Sequence, residues 1–427
     1  MKIDIDQQRL NDEIDGLAAF SDSEPPAVTR IVFSEQDRKA RAWLKDRFAK
    51  AGLAVREDAV GNTFARWQGM QPDLSAVATG SHIDAIPHAG KYDGVVGVLG
   101  GLEAIRALQR AGFRPERSIE LIMFTSEEPT RFGLGCLGSR LISGTLVPDA
   151  AAALRDVEGE TLDSARQQAG FAGRLDSVRM APGSYSAFVE LHIEQGPILE
   201  REKIPLGLVT HIAAPASFRT IVEGEGGHAG GRLMPGRRDA LCAAAEMILA
   251  VERAALGSGA LDTVGTVGIC QVHPGAVNSI PSRVEFSLDL RDTDATRRDR
   301  VRAEIRAAVD AIAQRRRVSA KIETINSDPP AESSPAILAA LTAACEAEDL
   351  TCRKMVSRAY HDSSFMSRIA PVAMLFIPCR EGVSHRPDEY SSPDEIGRGA
   401  RVLARTLATL SGSQGFDHTP TQSLPYV

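Results

Sequence analysis

Paired cysteines, an excess of basic charge and long apolar runs are all missing from this 427-residue sequence. Its six cysteines form no C-x-x-C pair and have no regular spacing, which argues against a zinc knuckle and a disulfide framework. The net charge of -7 provides no basic excess to neutralise phosphates, so nucleic acid is not an expected partner. No uncharged apolar run approaches the ~20 residues of a membrane span, and the N-terminus MKIDIDQQRL lacks a signal peptide's apolar core. We therefore expect a soluble, cytoplasmic protein.

The composition is that of a globular protein, with 43% hydrophobic and 25% charged residues, and the length suggests two or three domains. The first part alternates helix-like segments, 34–51 and 94–111, with strand-like segments, 75–80 and 118–125. This alternation predicts an α/β domain with a largely parallel sheet. Ligands bind beyond the carboxyl ends of strands in such sheets, and both GSHID and SEEP lie just past predicted strand ends.

A second pattern of segments begins after residue 213. Strand 217–224, helix 237–256, strands 263–272 and 282–292, helix 295–314 and strand 319–326 follow one another in that order. The order β-α-β-β-α-β predicts a ferredoxin-like α+β domain. We expect this domain, 214–330, to be inserted into a first domain made of 1–213 plus 331–427.

Histidines and carboxylates gather at the predicted strand ends. His82, His192 and His385 each follow or end an apolar run and have a carboxylate within four residues. Nitrogen and oxygen ligands without thiolate suit Zn²⁺, Mn²⁺ or Co²⁺, and five or six of them suit two ions that share a carboxylate. Asp93, at the start of segment 94–111, could be that bridge, and the alternative is an ordinary helix N-cap.

Two adjacent glutamates, Glu127 and Glu128, directly follow the strand-like run 119–124. Side chains alternate along an extended chain, so the two neighbours must point in different directions. We expect them to have two different functions.

Six motifs give the sequence a family resemblance: GSHIDAIP, KYDGVVG, FTSEEPTRFG, ELHIEQGP, GGHAG and SHRPDEY. In this order they resemble the M20 family of dinuclear metal amidohydrolases, in particular its branch of N-carbamoyl-L-amino-acid, allantoate and ureidoglycolate amidohydrolases. The resemblance extends from about residue 30 to about residue 410. It implies two divalent ions per subunit, with Mn²⁺ first and Zn²⁺, Co²⁺ or Ni²⁺ as alternatives. The implied ligands are His82, bridging Asp93, Glu128, His192 and His385.

The resemblance also implies roles around the metals. Glu127 becomes the general base, and Asp84 orients the imidazole of His82, its alternative being an ordinary loop acid. His228 in GGHAG becomes the donor to the developing oxyanion, brought in by domain closure or from a partner subunit. Read without the family, His228 is equally well a flexible-loop residue. The inserted domain is implied to form a lid and a homodimer surface.

Substrate contacts are carried over in the same way. Gln195, Asn278 and Arg291 match positions that hold the substrate in this branch, and an arginine fork suits a carboxylate. The alternative for Arg291 is an ion pair at its strand end. In the segment 357–371, Tyr360 and His361 match the ureidoglycolate amidohydrolases best, because many carbamoylases and allantoate amidohydrolases carry a glycine before the His-Asp.

We therefore expect hydrolysis of the ureido group of (S)-ureidoglycolate, which releases ammonia and carbon dioxide and yields glyoxylate. N-carbamoyl-L-amino acids and allantoate are the alternative substrates. A different class, a dinucleotide-binding oxidoreductase, is disfavoured because DGVVGVLGG has the spacing G-x-x-G-x-x-G. A catalytically inactive relative is disfavoured by the intact set of candidate ligands. The tail 415–427, with His418, is read as a loosely docked extension and receives no function.

Overall fold

A computed structural model describes residues 1–412, so the tail interpreted above lies outside the described residues. The chain divides into two units. Residues 1–210, 332–355 and 361–412 form the first, and residues 211–331 with 356–360 form the second. Across the described part of the chain, no helix is long and apolar enough to cross a membrane.

The strands of residues 1–412 are, in chain order, β1 Val28–Arg30, β2 Ala54–Glu57, β3 Thr63–Trp67, β4 Ala76–His82, β5 Ala85–Ala89, β6 Ile119–Phe124, β7 Tyr185–Ile193, β8 Leu206–Ile212, β9 Ala214–Glu223, β10 Gly227–His228, β11 Val264–Thr266, β12 Cys270–His273, β13 Ser279–Ile280, β14 Arg283–Asp292, β15 Ser319–Ser327, β16 Ala331–Glu332, β17 Cys352–Ser357 and β18 Val372–Ile377. The α-helices of the same residues are α1 Gln7–Ala18, α2 Glu35–Lys50, α3 Val95–Arg110, α4 Leu137–Ser143, α5 Pro148–Ala153, α6 Leu162–Gln168, α7 Ile198–Glu202, α8 Ala240–Gly257, α9 Ala295–Arg316, α10 Pro335–Glu346, α11 Ser363–Met366 and α12 Pro393–Ser411.

A nine-stranded sheet forms the centre of the first unit. Its order is β16-β8-β18-β7-β4-β6-β3-β2, with β17 also paired to β8. The four middle strands, β18, β7, β4 and β6, are parallel to their neighbours within that set. Strands β4, β6 and β18 are buried along their whole length, as expected where helices cover both faces of a parallel sheet. The predicted largely parallel α/β fold is confirmed.

Helix α3 lies close against this sheet because small residues face it. A Cβ added at Gly97 would lie 2.5 Å from the main-chain oxygen of Leu191 on β7, so only glycine permits this approach. Helix α12 begins with a capping box formed by Ser392 and Glu395. The close approach of α3 fixes the position of Asp93, which lies two residues before the helix.

The second unit contains an antiparallel sheet in the order β11-β14-β9-β15, with β12 also paired to β14. Together with α8 and α9 this is the split β-α-β-β-α-β arrangement, so the predicted fold of this part is confirmed. Inward residues alternate along β14, where Val284, Phe286, Leu288 and Leu290 are buried.

One predicted strand of the second unit is wrong. The run 263–272 was expected to be continuous, but it forms two strands, β11 and β12, on the same partner β14. Thr266 pairs with Asp289 and Cys270 pairs with Phe286, so the three residues 267–269 lie opposite the two residues 287–288. This one-residue excess is a bulge, which interrupts the ladder.

Candidate metal centre and its surroundings

The candidate catalytic side chains lie at the carboxyl ends of the four parallel strands. His82 is the last residue of β4, and His192 is the penultimate residue of β7. Glu127 and Glu128 follow β6, and a short loop after β18 carries His385. Because parallel strands end at the same edge, side chains that are far apart in sequence meet there.

A first group is formed by His82, Asp93 and His192, whose candidate ligand atoms lie within 4.8 Å of one another. Oδ1 of Asp93 is 3.6 Å from Nε2 of His82 and 3.1 Å from Nε2 of His192. The Nδ1 atoms of the two rings lie 3.0 Å from the carbonyl oxygens of Asp84 and Ile193. Since a carbonyl only accepts, both rings carry their proton on Nδ1, and each Nε2 is available as a ligand.

A second group consists of Asp93, Glu128 and His385. Nε2 of His385 is 3.2 Å from Oδ2 of Asp93 and 3.1 Å from Oε1 of Glu128. Hydrogen bonds with Asp93 and Glu128 raise the pKa of His385 to about 11. Asp93 thus belongs to both groups, with one oxygen facing each, which is the arrangement of a carboxylate that can bridge two cations.

The position of Asp93 is fixed through its backbone as well as its side chain. Oε1 of Glu389 accepts hydrogen bonds from the backbone N–H groups of Tyr92 (3.0 Å) and Asp93 (3.1 Å). The hydroxyl group of Ser384, which has one proton to donate, lies 2.8 Å from Oε2 of Glu389 and 3.1 Å from Oδ2 of Asp93. Burial raises the pKa of Asp93, but its interactions with the three histidines outweigh burial and hold that pKa well below its usual value.

The environment of Asp84 differs from the expectation. Its carboxylate was expected to orient the ring of His82, but Oδ1 lies 3.7 Å from Nδ1 of His82, while the Asp84 carbonyl lies at 3.0 Å. Its two carboxylate oxygens instead accept the backbone N–H groups of Glu127 (3.2 Å) and Glu128 (3.0 Å). The carbonyl of Asp84 therefore positions His82, and the carboxylate of Asp84 positions Glu127 and Glu128.

Glu127 occupies a buried place beside the first group. Its Oε2 lies 3.8 Å from Nε2 of His82, and its Oε1 accepts from the thiol of Cys136 at 3.5 Å. Burial raises the pKa of Glu127 well above its usual value, with His82 opposing this and Glu128 adding to it. Glu128 is in the second metal group and Glu127 is in neither, so the adjacent pair is divided between two environments.

Left-handed backbone conformations are found at four non-glycine residues described around the site: Ser126 (φ 56°), Cys136 (φ 57°), Gln195 (φ 53°) and His385 (φ 60°). Such conformations cost free energy and are found where the surrounding structure enforces them, often at functional sites. The side chain of Gln195 donates to Oδ2 of Asp93 at 2.8 Å, and its buried Oε1 has no hydrogen-bond partner among residues 1–412.

His361 packs against His192, a member of the first group. It is buried, and its ring centroid is 4.6 Å from that of His192 in an edge-to-face arrangement. Glu190, His192 and His361 also have candidate ligand atoms within 4.8 Å of one another. The oxygens of Glu190 already accept hydrogen bonds from the hydroxyl groups of Ser81 (2.7 Å) and Ser363 (2.5 Å). Glu190 and His361 thus lie next to the ring of His192.

In the second unit, His228 and Asn278 are brought together by the short ladder of β10 and β13. His228 pairs with Ser279, and the N–H of Ala229 donates to the carbonyl of Asn278 at 2.9 Å. The two residues are fifty apart in the sequence, and the ladder places them side by side. His228 is exposed.

Arg291 and Tyr360 are both engaged within the second unit. Arg291 donates to Asp289 through Nε (2.7 Å) and Nη2 (3.3 Å), and through Nη1 to the carbonyl of Arg358 (3.3 Å). The strand-end ion pair weighed for Arg291 is therefore present. The hydroxyl of Tyr360 donates to Oδ2 of Asp328 at 2.6 Å.

Comparison with known proteins places this site in a family. Residues 78–409 match peptidase family M20/M25/M40. The chain belongs to this family. It is 52% identical over 416 residues to the ureidoglycolate hydrolase of Arabidopsis thaliana, covering 96% of this chain and 87% of that protein. It is 40% identical to the N-carbamoyl-L-amino acid amidohydrolase of Geobacillus stearothermophilus, covering 90% and 93% of the two chains.

A solved structure of AtUAH in complex with glyoxylate has the same fold, with a TM-score of 0.90 and 52% identity over 96% of this chain and 98% of that one. Enzymes of this family are metal-dependent hydrolases of amide C–N bonds. The donor set fits that chemistry, since both groups offer imidazole nitrogen and carboxylate oxygen and no thiolate.

Several residues that complete the site were missed by the sequence reasoning. Ser384 and Glu389 lie inside the quoted motif SHRPDEY, so their proximity to His385 was a signal that was not used. Glu190 stands two residues before His192 on β7 and hence on the same face of the strand. Asp362 directly follows His361 in the segment 357–371, so it also had a signal in the sequence. It is buried, accepts from Ser139 at 2.5 Å, and burial raises its pKa to about 8.

Proposed function

We propose that this protein hydrolyses (S)-ureidoglycolate, cleaving the ureido C–N bond and releasing ammonia and carbon dioxide, with glyoxylate as the final product. The observation that carries the proposal is the 52% identity over 96% of the chain to an Arabidopsis ureidoglycolate hydrolase, against 40% to a carbamoylase. The rice ureidoglycolate hydrolase is likewise 52% identical. The Tyr360–His361 pair adds support, because it resembles that group of amidohydrolases.

The ligands of two solved relatives are consistent with this reaction. One AtUAH structure is in complex with glyoxylate and another with (S)-hydroxyglycine. Removing the carbamoyl group of ureidoglycolate with water leaves hydroxyglycine, while the released carbamate decomposes to ammonia and carbon dioxide. Hydroxyglycine then loses ammonia to give glyoxylate, so both molecules are the products that the proposed reaction requires.

We propose that two divalent ions, Mn²⁺ first among the alternatives, are held by the two groups that share Asp93. Bound there, such ions would activate water and polarise the scissile carbonyl. Glu127 takes the proton of the attacking water and delivers it to the leaving nitrogen, since it is in neither group and its carboxylate lies beside His82. The raised pKa of Glu127 suits a group that accepts a proton.

Polar groups with spare hydrogen-bonding capacity support the proposed substrate contacts. Within residues 1–412, Arg291 uses three of its five N–H donors, on Asp289 and the Arg358 carbonyl, which leaves one N–H on each Nη atom. Two N–H groups on neighbouring nitrogens match the two oxygens of a carboxylate. The buried, unpartnered Oε1 of Gln195 can accept from a substrate N–H or O–H group. We assign His228 and Asn278 as further contacts, with His228 donating to the developing oxyanion.

A homodimer through the second unit is also part of the proposal. The outer face of α8 exposes Leu241, Leu249 and Leu256, with 77% of Leu256 exposed, and the edge strand β11 exposes Val264. Contiguous exposed apolar groups of this kind mark interaction surfaces. Leu249→Glu should convert a dimer into a monomer in sedimentation velocity, whereas a monomeric wild-type protein would contradict the assignment.

The test is ammonia release by the Mn²⁺-loaded protein from ureidoglycolate, allantoate and several N-carbamoyl-L-amino acids, measured side by side with Glu127→Gln as the blank. The proposal expects the highest kcat/KM with ureidoglycolate. A higher value with carbamoyl amino acids would favour the second candidate function, which the 40% identical carbamoylase and the shared ligand set support. No ammonia from any of these compounds would refute the reaction class.

A further inference from the structure

The loop that follows β10 holds the imidazole of His228 through one particular nitrogen. Backbone N–H groups of Gly230 and Gly231 point at Nδ1 of His228, with nitrogen-to-nitrogen distances of 3.2 Å and 3.0 Å. A backbone N–H can only donate, so Nδ1 must be unprotonated and accept. A neutral imidazole carries one proton, which then has to reside on Nε2.

We infer that Gly230 and Gly231 are positioning residues that lock His228 in its Nε2–H tautomer, so that its outer nitrogen is a permanent hydrogen-bond donor. This inference rests on the proposed function only for the role of that donor at the oxyanion. The opposite tautomer would direct a lone pair at the developing negative charge and repel it. A ring whose Nδ1 faces two donors is also unsuited to accept a proton there, which leaves proton transfer to Glu127.

The loop is braced so that the two amides stay in place. The N–H of Arg232 donates to the carbonyl of His228 at 3.2 Å, and Arg237 donates through Nη2 to the carbonyl of Ala229 at 2.6 Å. A further ion pair joins Arg232 to Glu225 at 2.6 Å. The backbone of His228 is held by the ladder to β13, which also belongs to the second unit.

The glycines are needed here for their N–H groups and not for their conformational freedom. A Cβ at Gly230 would lie 3.6 Å from Cε1 of His228, and one at Gly231 would lie 3.5 Å from Nδ1, both ordinary contact distances. Neither glycine has a positive φ. Alanine, which keeps the N–H, is therefore a matched control for proline, which removes it.

The tautomer can be read without any substrate, from long-range proton–nitrogen correlation spectra of the full-length protein labelled with ¹⁵N-histidine. The signal of His228 is assigned by its loss in His228→Gln. We expect the wild-type protein and Gly231→Ala to show a neutral ring protonated on Nε2. Gly231→Pro should show a mixture of tautomers, with kcat lowered by up to about 100-fold, the order of one oxyanion donor.

An Nδ1-protonated ring in the wild-type protein would overturn the inference, and this reading does not depend on whether the proline variant folds. An unchanged Nε2–H signal in a folded Gly230→Pro, Gly231→Pro double variant would also overturn it, because the tautomer would then have another cause. Both of these spectroscopic measurements are independent of ammonia release. Failure of the proposed function would appear separately, as inactivity of the wild-type protein.

Discussion

Substitution of Asp84 is expected to displace Glu127 while changing the free energy of unfolding only modestly. Its carboxylate accepts the N–H groups of Glu127 and Glu128, and burial raises its pKa to about 6. In Asp84→Asn, one of those N–H groups faces an NH₂ group, and leaving a buried donor unpaired costs about 1–3 kcal/mol. The neutral amide is easier to bury than the carboxylate, which offsets part of this cost. We therefore expect the free energy of unfolding to change by no more than about 2 kcal/mol.

Activity should respond far more strongly than stability. Glu127 follows its backbone, and a displacement of about 1 Å at a reacting group lowers the rate by about 100-fold. His82 should keep its orientation because the Asp84 carbonyl is unchanged, so the metal binding proposed for the first group should persist. The assays are kcat from ammonia release, metal content of the purified variant, and urea unfolding.

Asp58→Asn is a matched control for this experiment. Burial raises the pKa of Asp58 to about 6 as well, and its carboxylate accepts the N–H groups of Val60, Gly61 and Asn62. The control should lose stability to a similar extent but keep most of its kcat. If Asp84→Asn retains more than about half of the wild-type kcat, contrary to the large loss expected from misplacement, the reasoning about Glu127 is refuted.

Three further outcomes are expected. Glu389→Ala removes the acceptor of the Asp93 N–H and should weaken Mn²⁺ binding by about 10- to 100-fold in a metal titration; an unchanged affinity would contradict this support of Asp93. Gly138→Ala would place a Cβ 2.1 Å from Oδ1 of Asn62 and should lower the free energy of unfolding by at least about 1–3 kcal/mol in urea. Gly257→Ala, with nothing within 4 Å, is its control and should leave the urea midpoint nearly unchanged. Tyr360→Phe removes the hydrogen bond to Asp328 and should lower kcat/KM for ureidoglycolate about tenfold, without a comparable loss on a carbamoyl amino acid.

Local sequence patterns were sufficient to predict the strand and helix that position the candidate catalytic residues. The period of apolar residues located β6 and α3 to within one residue at each end, because both are buried along most of their length. Motif resemblance supplied the five candidate ligands, and the parallel sheet explains why they converge at one edge. The order of strand-like and helix-like segments was also sufficient to predict the fold of the second unit. In that unit, secondary-structure propensity and the spacing of apolar residues indicate the same elements.

The features that the sequence did not predict depend on contacts between residues that are far apart in the chain. The carboxylate of Asp84 reaches the N–H groups of residues 127 and 128, more than forty positions away, and only the parallel pairing of β4 with β6 makes them neighbours. The break between β11 and β12 is invisible in an apolar run, since a bulge depends on register with β14. Nδ1 of His228 accepts a hydrogen bond from Gly231 because of the path of the loop after β10, and a sequence pattern does not show that path.

The most direct test of the central claim is a titration of the metal-free protein with Mn²⁺, in which bound metal and ammonia release from ureidoglycolate are measured on the same samples. If two ions share Asp93, activity should reach its plateau only when two equivalents per chain are bound, and Asp93→Ala should lose both binding and activity. Glu127→Gln should bind two equivalents and stay inactive. Full activity at one equivalent, or an active Glu127→Gln, would contradict the account.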